Sequence, residues 1–595
     1  MSIEYLDGIR LYRVLSAGLL RVLEREDYLN KINVFPVPDA DTGTNMAYTL
    51  SSIKDDIQQN VHSNIADMSD LIADSALDGA RGNAGSILAQ FLVGLAEGLH
   101  SRTKVTTQQF AEAVKIGKQY AYQALLNPVE GTILTVISDW SEALHRFSDK
   151  YSDFVEVFAR ALKIAQKSVK ETPKKLKVLA KAGVVDAGGQ GFADLLQGIQ
   201  EFISEGKVSK ISIGLPRIFT KPNIKEIKFN EKYRYCTECV ISRENINRIK
   251  LKDQLMTLGD SLIIAGSKHK AKVHIHTDKP NTVFEICQSF GEISKDKADD
   301  MLQQQKDAHR QHKRVALVVD STADLPDSVL EEKNIHVVPV RLNFGDKHYI
   351  DKVTLSSEEF WDELQNNPIH PKTSQPSPGD FRRQYQFLAT HYESAISIHL
   401  PAQTSGTMQS ALTASKTLTN FPTTVIDSNS LSIGIGLTAI RAAEAINANK
   451  TQDEIINDIN NAIKNTKIYI LLHTLEYIVR GGRISKSKKT IADLLHAHPI
   501  LSLDYKGKIV TNGKIFGKKN LYDRFIKYVE KKIPPNSQYR IGIAHGNCEQ
   551  HARKFEKHFI NKIGKENVFF SQIGPGLGTH AGTNAMGIAV QIQDN

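Results

Sequence analysis

The stretch Asn33–Met46 reads NVFPVPDADTGTNM and is the most informative segment of the chain. Pro36 and Pro38 exclude a helix interior, so the segment is predicted to be a loop. Asp39 and Asp41 stand two residues apart, and in an extended loop both carboxylates can face one side. Hard oxygen ligands of this kind suit Mg²⁺, which also takes ligands from substrate phosphates. Taken alone, such a pair of aspartates is more often a solvated turn.

Three further segments place glycines at the start of a predicted helix. They are Asp78–Ser86 (DGARGNAGS), Glu130–Leu134 (EGTIL) and Gly183–Gly191 (GVVDAGGQG). Backbone amides at a helix start can hold phosphate. Glycines also cap ordinary helices, so each segment alone is weak evidence.

In their order along the chain, the four segments resemble the nucleotide-binding subunit of the dihydroxyacetone kinase type (DhaL-like), in the form found in fatty acid kinases. The resemblance implies an all-α domain that binds ATP, with Mg²⁺ held by Asp39 and Asp41. The family usually has serine where this chain has Ala84, so a hydroxyl that contacts phosphate is either missing or supplied by Ser86. The other residues implied at the nucleotide are Asn33, Thr42, Thr44, Asn45, Gly82, Asn83, Gly131, Thr132 and Asp186.

A second pattern lies between residues 225 and 310, where alternating residues such as those of Lys272–His276 predict strands. This part resembles the middle domain of fatty acid kinases, in which one cysteine and a His-x-His pair bind zinc. The resemblance implies Zn²⁺ at Cys236, His274 and His276, whereas Cys239 is expected to face away on a regular strand. Without the resemblance, ordinary strand residues and a buried free cysteine are favoured. The very polar stretch Lys295–Arg314 is predicted to be helical.

From Val315 onward, buried strands alternate with helices, which predicts an α/β region with a largely parallel sheet. Several polar motifs follow the ends of predicted strands, where open α/β sheets place their ligands. The motifs are Val319–Pro326, Lys372–Ser377, Ser405–Thr407, Gly481–Ile484 and Gly578–Gly582. Each motif alone is explained by turns and helix caps.

Together these motifs resemble the DegV family of fatty-acid-binding proteins over residues 315–595. Their hydroxyl and imidazole donors suit a carboxylate, and a guanidinium at Arg483 suits a phosphoryl group. The chain departs from the family at Thr404, where leucine is common, and after Gly582. The substrate-binding residues predicted in this way are Thr373, Ser374, Ser405, Gly406, Thr407 and His580.

Composition limits the class of protein. The chain has 595 residues, which is too long for one core, and a net charge of +9. Its basic residues are spread along the sequence, which favours a solvated surface over a nucleic-acid site. Four cysteines indicate no disulfide framework. With no signal-like start and no long apolar run, we expect a cytoplasmic protein with no transmembrane segment and at most peripheral membrane contact.

The sequence therefore predicts a multidomain protein with three parts. These are an all-α DhaL-like kinase domain over residues 1–205, a small α+β middle domain over 225–310, and an α/β DegV-type two-lobed region over 315–595. The resemblance implies that ATP phosphorylates a long-chain fatty acid held by the last region, giving acyl phosphate for phospholipid synthesis, with Mg²⁺ and Zn²⁺ as metal cofactors.

A downstream acyltransferase is the expected protein partner, and a homodimer stays open. Two alternatives remain. One is a lipid carrier with a degenerate kinase half. The other is a dihydroxyacetone-type kinase, against which the DegV-like half argues.

Overall fold

A computed structural model describes most of the chain. It covers residues 2–36, 41–125, 127–205, 232–267, 269–303, 314–389, 391–418, 420–484 and 497–593. The chain forms two compact units, Met1–Arg310 and Gln311–Asn595. Asp39 and the segment predicted to link the first two domains lie outside the described residues.

The first unit begins with a helical domain whose helices bury one apolar face each. In α1, Leu11, Leu15 and Leu19 recur at helical spacing and are all buried. Asp7 caps this helix by accepting a hydrogen bond from the N–H of Arg10. The helices are α1 (Gly8–Glu24), α2 (Glu26–Lys31), α3 (Thr42–Gln59), α4 (Ile65–Gly79), α5 (Gly82–Leu99), α6 (Thr107–Gln123), α7 (Ile133–Ser148), α8 (Phe154–Lys175), α9 (Lys177–Ala182) and α10 (Ala187–Glu205), and a short antiparallel pair joins β1 (Leu6–Asp7) to β2 (Lys104–Val105).

The same unit contains a middle domain built on a four-stranded antiparallel sheet in the order β4-β5-β3-β6. Ile263 and Ala265 on β4 belong to the hydrophobic core of the helical domain, so the two domains share one interior. The elements are β3 (Tyr235–Ser242), α11 (Arg248–Leu255), β4 (Gly259–Gly266), β5 (Lys270–Thr277), α12 (Pro280–Phe290) and β6 (Glu292–Asp300).

The helix predicted over Lys295–Arg314 is wrong at its start, because residues 295–300 belong to β6. Lys297 and Asp299 lie on a sheet face that is charged although it is covered, and Lys297 is only 7% exposed. A strand with charged residues on its covered face lacks the apolar alternation by which strands are recognised. Residues 304–313 lie outside the described part of the chain.

The second unit is an α/β region. Its bounds are β7 (Val315–Asp320), α13 (Asp327–Lys333), β8 (Ile335–Val338), β9 (Arg341–Phe344), β10 (Lys347–Ile350), α14 (Ser357–Asn366), β11 (Lys372–Ser374), α15 (Pro378–Ala389), β12 (Ser394–His399), α16 (Thr407–Ser415), β13 (Thr423–Asp427), α17 (Ile433–Asn447), α18 (Gln452–Asn465), β14 (Thr466–Leu471), α19 (Glu476–Arg480), β15 (Ala497–Leu503), β16 (Ile509–Phe516), α20 (Leu521–Glu530), β17 (Tyr539–His545), α21 (Glu549–Ile563), β18 (Val568–Gln572), α22 (Pro575–Ala581) and β19 (Met586–Ile592).

The sheets of this unit differ in direction. The first, β13-β12-β7-β8, is parallel throughout, as the sequence predicts. The larger sheet, β16-β15-β14-β19-β17-β18, is antiparallel except for the pair β17–β18, and β10-β9-β11 is antiparallel. The expectation of a largely parallel sheet therefore holds for one sheet only, while the predicted multidomain fold class is confirmed. Among the described helices, none has the length and apolar character that crossing a bilayer requires.

Candidate functional site

The N-termini of four helices meet in the helical domain. A Cβ built on Gly82, at the start of α5, would lie 2.4 Å from Nδ2 of Asn45 near the start of α3. A Cβ on Gly188, at the start of α10, would lie 3.3 Å from Cβ of Ile133, the first residue of α7, and 3.5 Å from Cβ of Ala84. The positive ends of these helix dipoles and their free amides therefore converge, which is an arrangement that favours an anion.

Polar residues of the first motif surround the start of α3. Asp41 occupies the N-cap position but makes no capping hydrogen bond through its side chain, and Thr42 is the first helical residue. Asn33 is buried at 4% exposure. The hydroxyl of Thr44 donates to Glu26 and accepts from Asn30, so it fastens α3 to α2. The carboxylate of Asp41 is thus the predicted metal ligand that the described residues leave available.

The turn before α5 carries polar atoms that lack hydrogen-bond partners among the described residues. They include Nη1 of Arg81, Oδ1 of Asn83 and Oγ of Ser86. Ser86 is completely buried, so its hydroxyl is out of reach of a ligand in this structure and does not replace the serine missing at Ala84.

Asp186 precedes α10 and is almost fully buried. Its Oδ2 accepts the N–H of Gly189 at 2.7 Å, and its own N–H donates to Oγ1 of Thr172 at 3.0 Å. Burial raises the pKa of Asp186 to about 7, although the amides of Gly189 and Ile133 act in the opposite direction. A cation nearby would favour the ionised form of this carboxyl.

The segment before α7 has a mainly structural placement. Gly131 has φ +86°, and a Cβ there would lie 3.0 Å from Cβ of Lys175 and 3.1 Å from the carbonyl oxygen of Thr172. Glycine is therefore required by both conformation and space. Thr132 is the N-cap residue, and its hydroxyl donates to the carbonyl of Val129.

Cys236, His274 and His276 lie together on the sheet of the middle domain. Cys236 on β3 is directly opposite His276 on β5, and their ligand atoms with that of His274 lie within 4.8 Å of one another. Sγ of Cys236 is 3.7 Å from Nδ1 of His274. Cys239 is on the other face, where its thiol contacts Cys287, as the strand period predicts.

The electrostatics of this cluster are compatible with a cation. Burial lowers the pKa of His276 to about 3, with His274 adding to the effect, so its imidazole is neutral and able to ligate. Desolvation raises the pKa of the Cys236 thiol well above its usual value, and the charges of Glu238 and Asp41 act in the same direction. A metal ion would oppose this rise. The influence of Asp41 also places the cluster beside the predicted magnesium ligand.

Glu238 lies next to His274 on the same face and was not singled out from the sequence. Its burial alone would raise its pKa, but the nearby Lys272 and Lys297 outweigh this effect and hold the pKa well below its usual value. The carboxylate is therefore ionised although its side chain is 0% exposed. A single glutamate in a polar strand carries no sequence signal for such a position.

In the second unit, the predicted substrate residues gather around one cavity. Thr373, Ser374, Ser405, Arg483 and His580 all line it. The rest of the wall is largely apolar and includes Val340, Leu400, Leu431, Ile470, Leu472, Ile478, Leu501, Ile509 and Ile573. A long apolar pocket with polar donors at one place matches a ligand with an acidic head and an apolar chain.

His580 on α22 is held tightly. Nε2 of its ring is 2.9 Å from Oγ1 of Thr373, and a Cβ built on Gly481 would lie 2.0 Å from its Nδ1. Burial lowers the pKa of His580 to about 3, and the charges of Arg483 and His370 add to this effect, so the imidazole is neutral at physiological pH. Glycine at 481 is required by the closeness of the ring.

Two predicted residues act on the cavity through Ser405. Thr407 is fully buried, and its hydroxyl is 2.8 Å from that of Ser405. Gly406 precedes α16, and a Cβ there would lie 2.8 Å from Nε2 of Gln375. Thr404, where the DegV family commonly has leucine, lines the cavity directly.

Sequence reasoning missed two residues at this cavity. Gln375 belongs to its lining and stands inside the motif Lys372–Ser377. His370 acts on the pKa of His580 and stacks loosely with Tyr477, and only its proximity to the same motif could have indicated it.

Comparison with known families agrees with the order of these sites. A model of the DAK2 domain matches residues 36–201, one of the middle domain of fatty acid kinases matches 232–308, and one of the DegV family of uncharacterised proteins matches 314–593. One chain joins these three domains. The resemblance found in the sequence is thereby confirmed, and the architecture is that of a fatty-acid-kinase-like protein. The domain boundaries at 205, 225, 310 and 315 stay predictions.

The relatives of the DAK2 and middle domains are themselves uncharacterised. A protein from Staphylococcus epidermidis is 32% identical over 320 residues, covering 52% of this chain and 57% of its own length. One from Staphylococcus saprophyticus is 33% identical over 322 residues, covering 51% of this chain and 57% of its own length. The chain thus spans little more than half the length of the curated relatives it matches.

Solved structures resemble the DegV half. DegV from Bacillus subtilis, a fatty acid binding protein, is 31% identical and covers 47% of this chain and 100% of its own, with a TM-score of 0.44. A fatty-acid-binding DegV family protein from Thermus thermophilus is 25% identical, with the same coverage and TM-score.

Proposed function

We propose that the chain is a fatty acid kinase that transfers the γ-phosphoryl group of ATP to a fatty acid held by its own DegV domain. The observation that carries this proposal is the presence of DAK2, fatty acid kinase middle and DegV domains in one polypeptide. A kinase domain and a carrier for its acceptor would then be joined covalently.

Support for ATP comes from the convergent helix N-termini of the DAK2 domain. Their amides and dipoles favour the triphosphate, and Asp41, with Asp39, would hold Mg²⁺ beside it. Magnesium would neutralise charge on the phosphates as it does in other kinases. Asp186, with its pKa near 7, would become ionised on contact with the metal or the nucleotide.

Support for the fatty acid comes from the DegV cavity. Its apolar wall would bury the acyl chain at about 0.8 kcal/mol per methylene before the costs of binding. Thr373, Ser405 and neutral His580 would meet the carboxylate as hydrogen-bond donors. Ser374 and Gln375 complete the polar end of the lining.

The chemistry needs little from the protein beyond positioning. A carboxylate oxygen attacks the γ-phosphorus, the bond to the β–γ bridging oxygen breaks, and ADP leaves with that electron pair. A carboxylate is already ionised and requires no general base. Arg483, which is partly buried and stays charged, would bind the phosphoryl group bidentately. The product, acyl phosphate, would pass to an acyltransferase of phospholipid synthesis.

We also propose that the middle domain binds one zinc ion through Cys236, His274 and His276. A thiolate and two imidazoles are a ligand set that suits Zn²⁺. Nε2 of His274 is buried and has no hydrogen-bond partner among the described residues, which fits a ligand atom without its metal.

The test is to incubate the full chain with ATP, Mg²⁺ and a fatty acid mixture and to trap acyl phosphate with hydroxylamine. Asp41→Asn is expected to abolish the hydroxamate while fatty acid binding persists, because it removes a metal ligand. Asp55→Asn, which changes an exposed aspartate on the same helix, is the matched control and should stay active.

A second function is favoured by Ala84 and the burial of Ser86, which leave the phosphate turn without the family's hydroxyl. In that case the chain binds fatty acid and ATP hydrolysis and transfer are absent. Fatty acid bound to wild-type protein without any hydroxamate, and with no phosphorylation of added dihydroxyacetone, would establish the carrier and refute the kinase.

A further inference from the structure

The middle domain meets the DAK2 domain at the glycine turn before α5. The N–H of Gly82, the first residue of α5, donates to Oε1 of Glu238 on β3 at 3.0 Å. Asp78, at the end of α4, forms ion pairs with Lys270 and Lys295 of the middle domain. One amide of the turn that would hold phosphate is therefore bonded to a strand that also carries a residue of the metal cluster.

Oε1 of Glu238 serves two donors at once. Besides the amide of Gly82, it lies 2.9 Å from Nδ1 of His274. The other oxygen, Oε2, is 2.9 Å from Nζ of Lys272 and 3.4 Å from Nζ of Lys297, without the geometry of a hydrogen bond. The lysines thus neutralise the buried charge, while the directional bonds connect the glycine turn to the histidine.

This arrangement determines the tautomer of His274. An ionised carboxylate accepts hydrogen bonds only, so Nδ1 of His274 carries the proton and donates it to Glu238. Nε2 then presents its lone pair, and this atom is buried with no partner among the described residues. A carboxylate behind a metal-binding imidazole is a known way to fix the ring and strengthen its donation.

Buried ion pairs are weak evidence for a role in stability, since well-packed apolar residues often replace them without loss. What an apolar residue could not replace here is the shared acceptor. If a cation fixes the ring of His274, it also fixes Oε1, and Oε1 orients the amide of Gly82. The position of the turn then depends on whether the metal cluster is occupied.

We propose that Glu238 is a positioning residue that couples metal binding at the Cys236–His274–His276 cluster to nucleotide binding at the Gly82 turn. The inference rests on the proposed function and adds a regulatory link within it. Such coupling is reciprocal, so a metal that tightens nucleotide binding is itself bound more tightly when nucleotide is present.

The test measures two equilibria on the full chain. The dissociation constant of ADP with Mg²⁺ is determined by calorimetry on zinc-loaded and zinc-stripped protein, and that of Zn²⁺ by competition with a chromophoric chelator, with and without ADP. For the wild type we expect zinc to tighten ADP binding by about fivefold or more, and ADP to tighten zinc binding by the same factor.

Two substitutions separate reach from charge. Glu238→Asp keeps the charge between the lysines but withdraws the oxygen by about 1.5 Å, roughly one carbon–carbon bond, beyond the reach of Gly82 and His274. We expect both ligands to bind to it with a coupling factor near one. Glu238→Gln keeps Oε1 and is expected to retain most of the coupling. Thermal unfolding checks that each variant is folded, and Glu238→Gln carries the test if Glu238→Asp is not.

The matched control is Asp78→Asn, which removes ion pairs at the same junction without touching the cluster. It should keep the wild-type coupling. Wild-type protein that binds both ligands independently would overturn the inference and leave the kinase proposal intact. Full coupling in Glu238→Asp, its loss in Glu238→Gln, or its loss in Asp78→Asn would also overturn it. Wild-type protein that binds no ADP would overturn the kinase proposal as well.

Discussion

Gly481→Ala is expected to weaken fatty acid binding although Gly481 donates nothing to a ligand. The new Cβ would lie 2.0 Å from Nδ1 of His580, whereas such contacts are essentially never shorter than 3.0 Å. The imidazole must therefore move by about 1 Å. A shift of that size breaks the 2.9 Å contact between Nε2 and Oγ1 of Thr373 and moves a donor away from the carboxylate.

The size of the effect follows from the lost bond. A hydrogen bond to a charged group contributes about 1.5–3 kcal/mol, which corresponds to binding about 10- to 150-fold weaker. Overpacking in a tight site costs about 1–3 kcal/mol of folding stability in addition. The assay is displacement of a fluorescent fatty acid from the purified chain, with thermal unfolding recorded in parallel.

Gly482→Ala is the matched control. Gly482 has φ +73°, so alanine there is strained by about 1–2 kcal/mol, yet no atom lies within 4 Å of the added Cβ. It should destabilise the fold and leave fatty acid affinity unchanged. Equal affinities for both variants, whether both normal or both weakened, would refute the reasoning that the ring of His580 is the contact that matters.

Three further outcomes are expected. Protein purified without chelator should carry about one zinc per chain; His274→Ala should lose it in metal analysis, exposed His269→Ala should not, and a zinc-free wild type would contradict the site. Because burial raises the pKa of Asp186 from 3.8 to about 7, the folded state binds an extra proton between these values, so this residue lowers stability as pH rises from about 4 to 7. Asp186→Asn should remove that contribution in urea unfolding at pH 5 and 8, and an unchanged difference would count against the assignment. Mixing Asp41→Ala with His580→Ala chains should restore acyl phosphate only if transfer occurs between chains, so restoration would exclude transfer confined to one chain.

The sequence was sufficient for the sites that depend on local pattern. Glycine turns next to helix starts predicted the convergence that Gly82, Asn45 and Gly188 display, because a family resemblance fixed how those turns are assembled. The strand period alone placed His274 and His276 on one face and Cys239 on the other. The cavity residues Thr373 and Ser405 were found because polar motifs at strand ends face ligands in such folds.

The remainder depends on tertiary contacts. The strand β6 was mistaken for a helix because its covered face is charged, and only the partners across the sheet make those charges tolerable. The position of Glu238 depends on a turn more than 150 residues away in the chain. The apolar wall of the cavity, including Leu431 and Ile470, comes from segments without any motif, so periodicity predicts their burial but not what they enclose.

The charged covered face of the middle sheet has a consequence for how these positions can change over generations. Glu238 and Asp299 are balanced there by Lys272 and Lys297, so the four charges cancel. Losing one member would leave a buried charge unmatched, at a cost of about 3–5 kcal/mol. Single replacements should therefore be rare, and viable replacements should come in pairs of opposite sign. Across related sequences, positions 238, 272, 297 and 299 are expected to covary rather than drift independently.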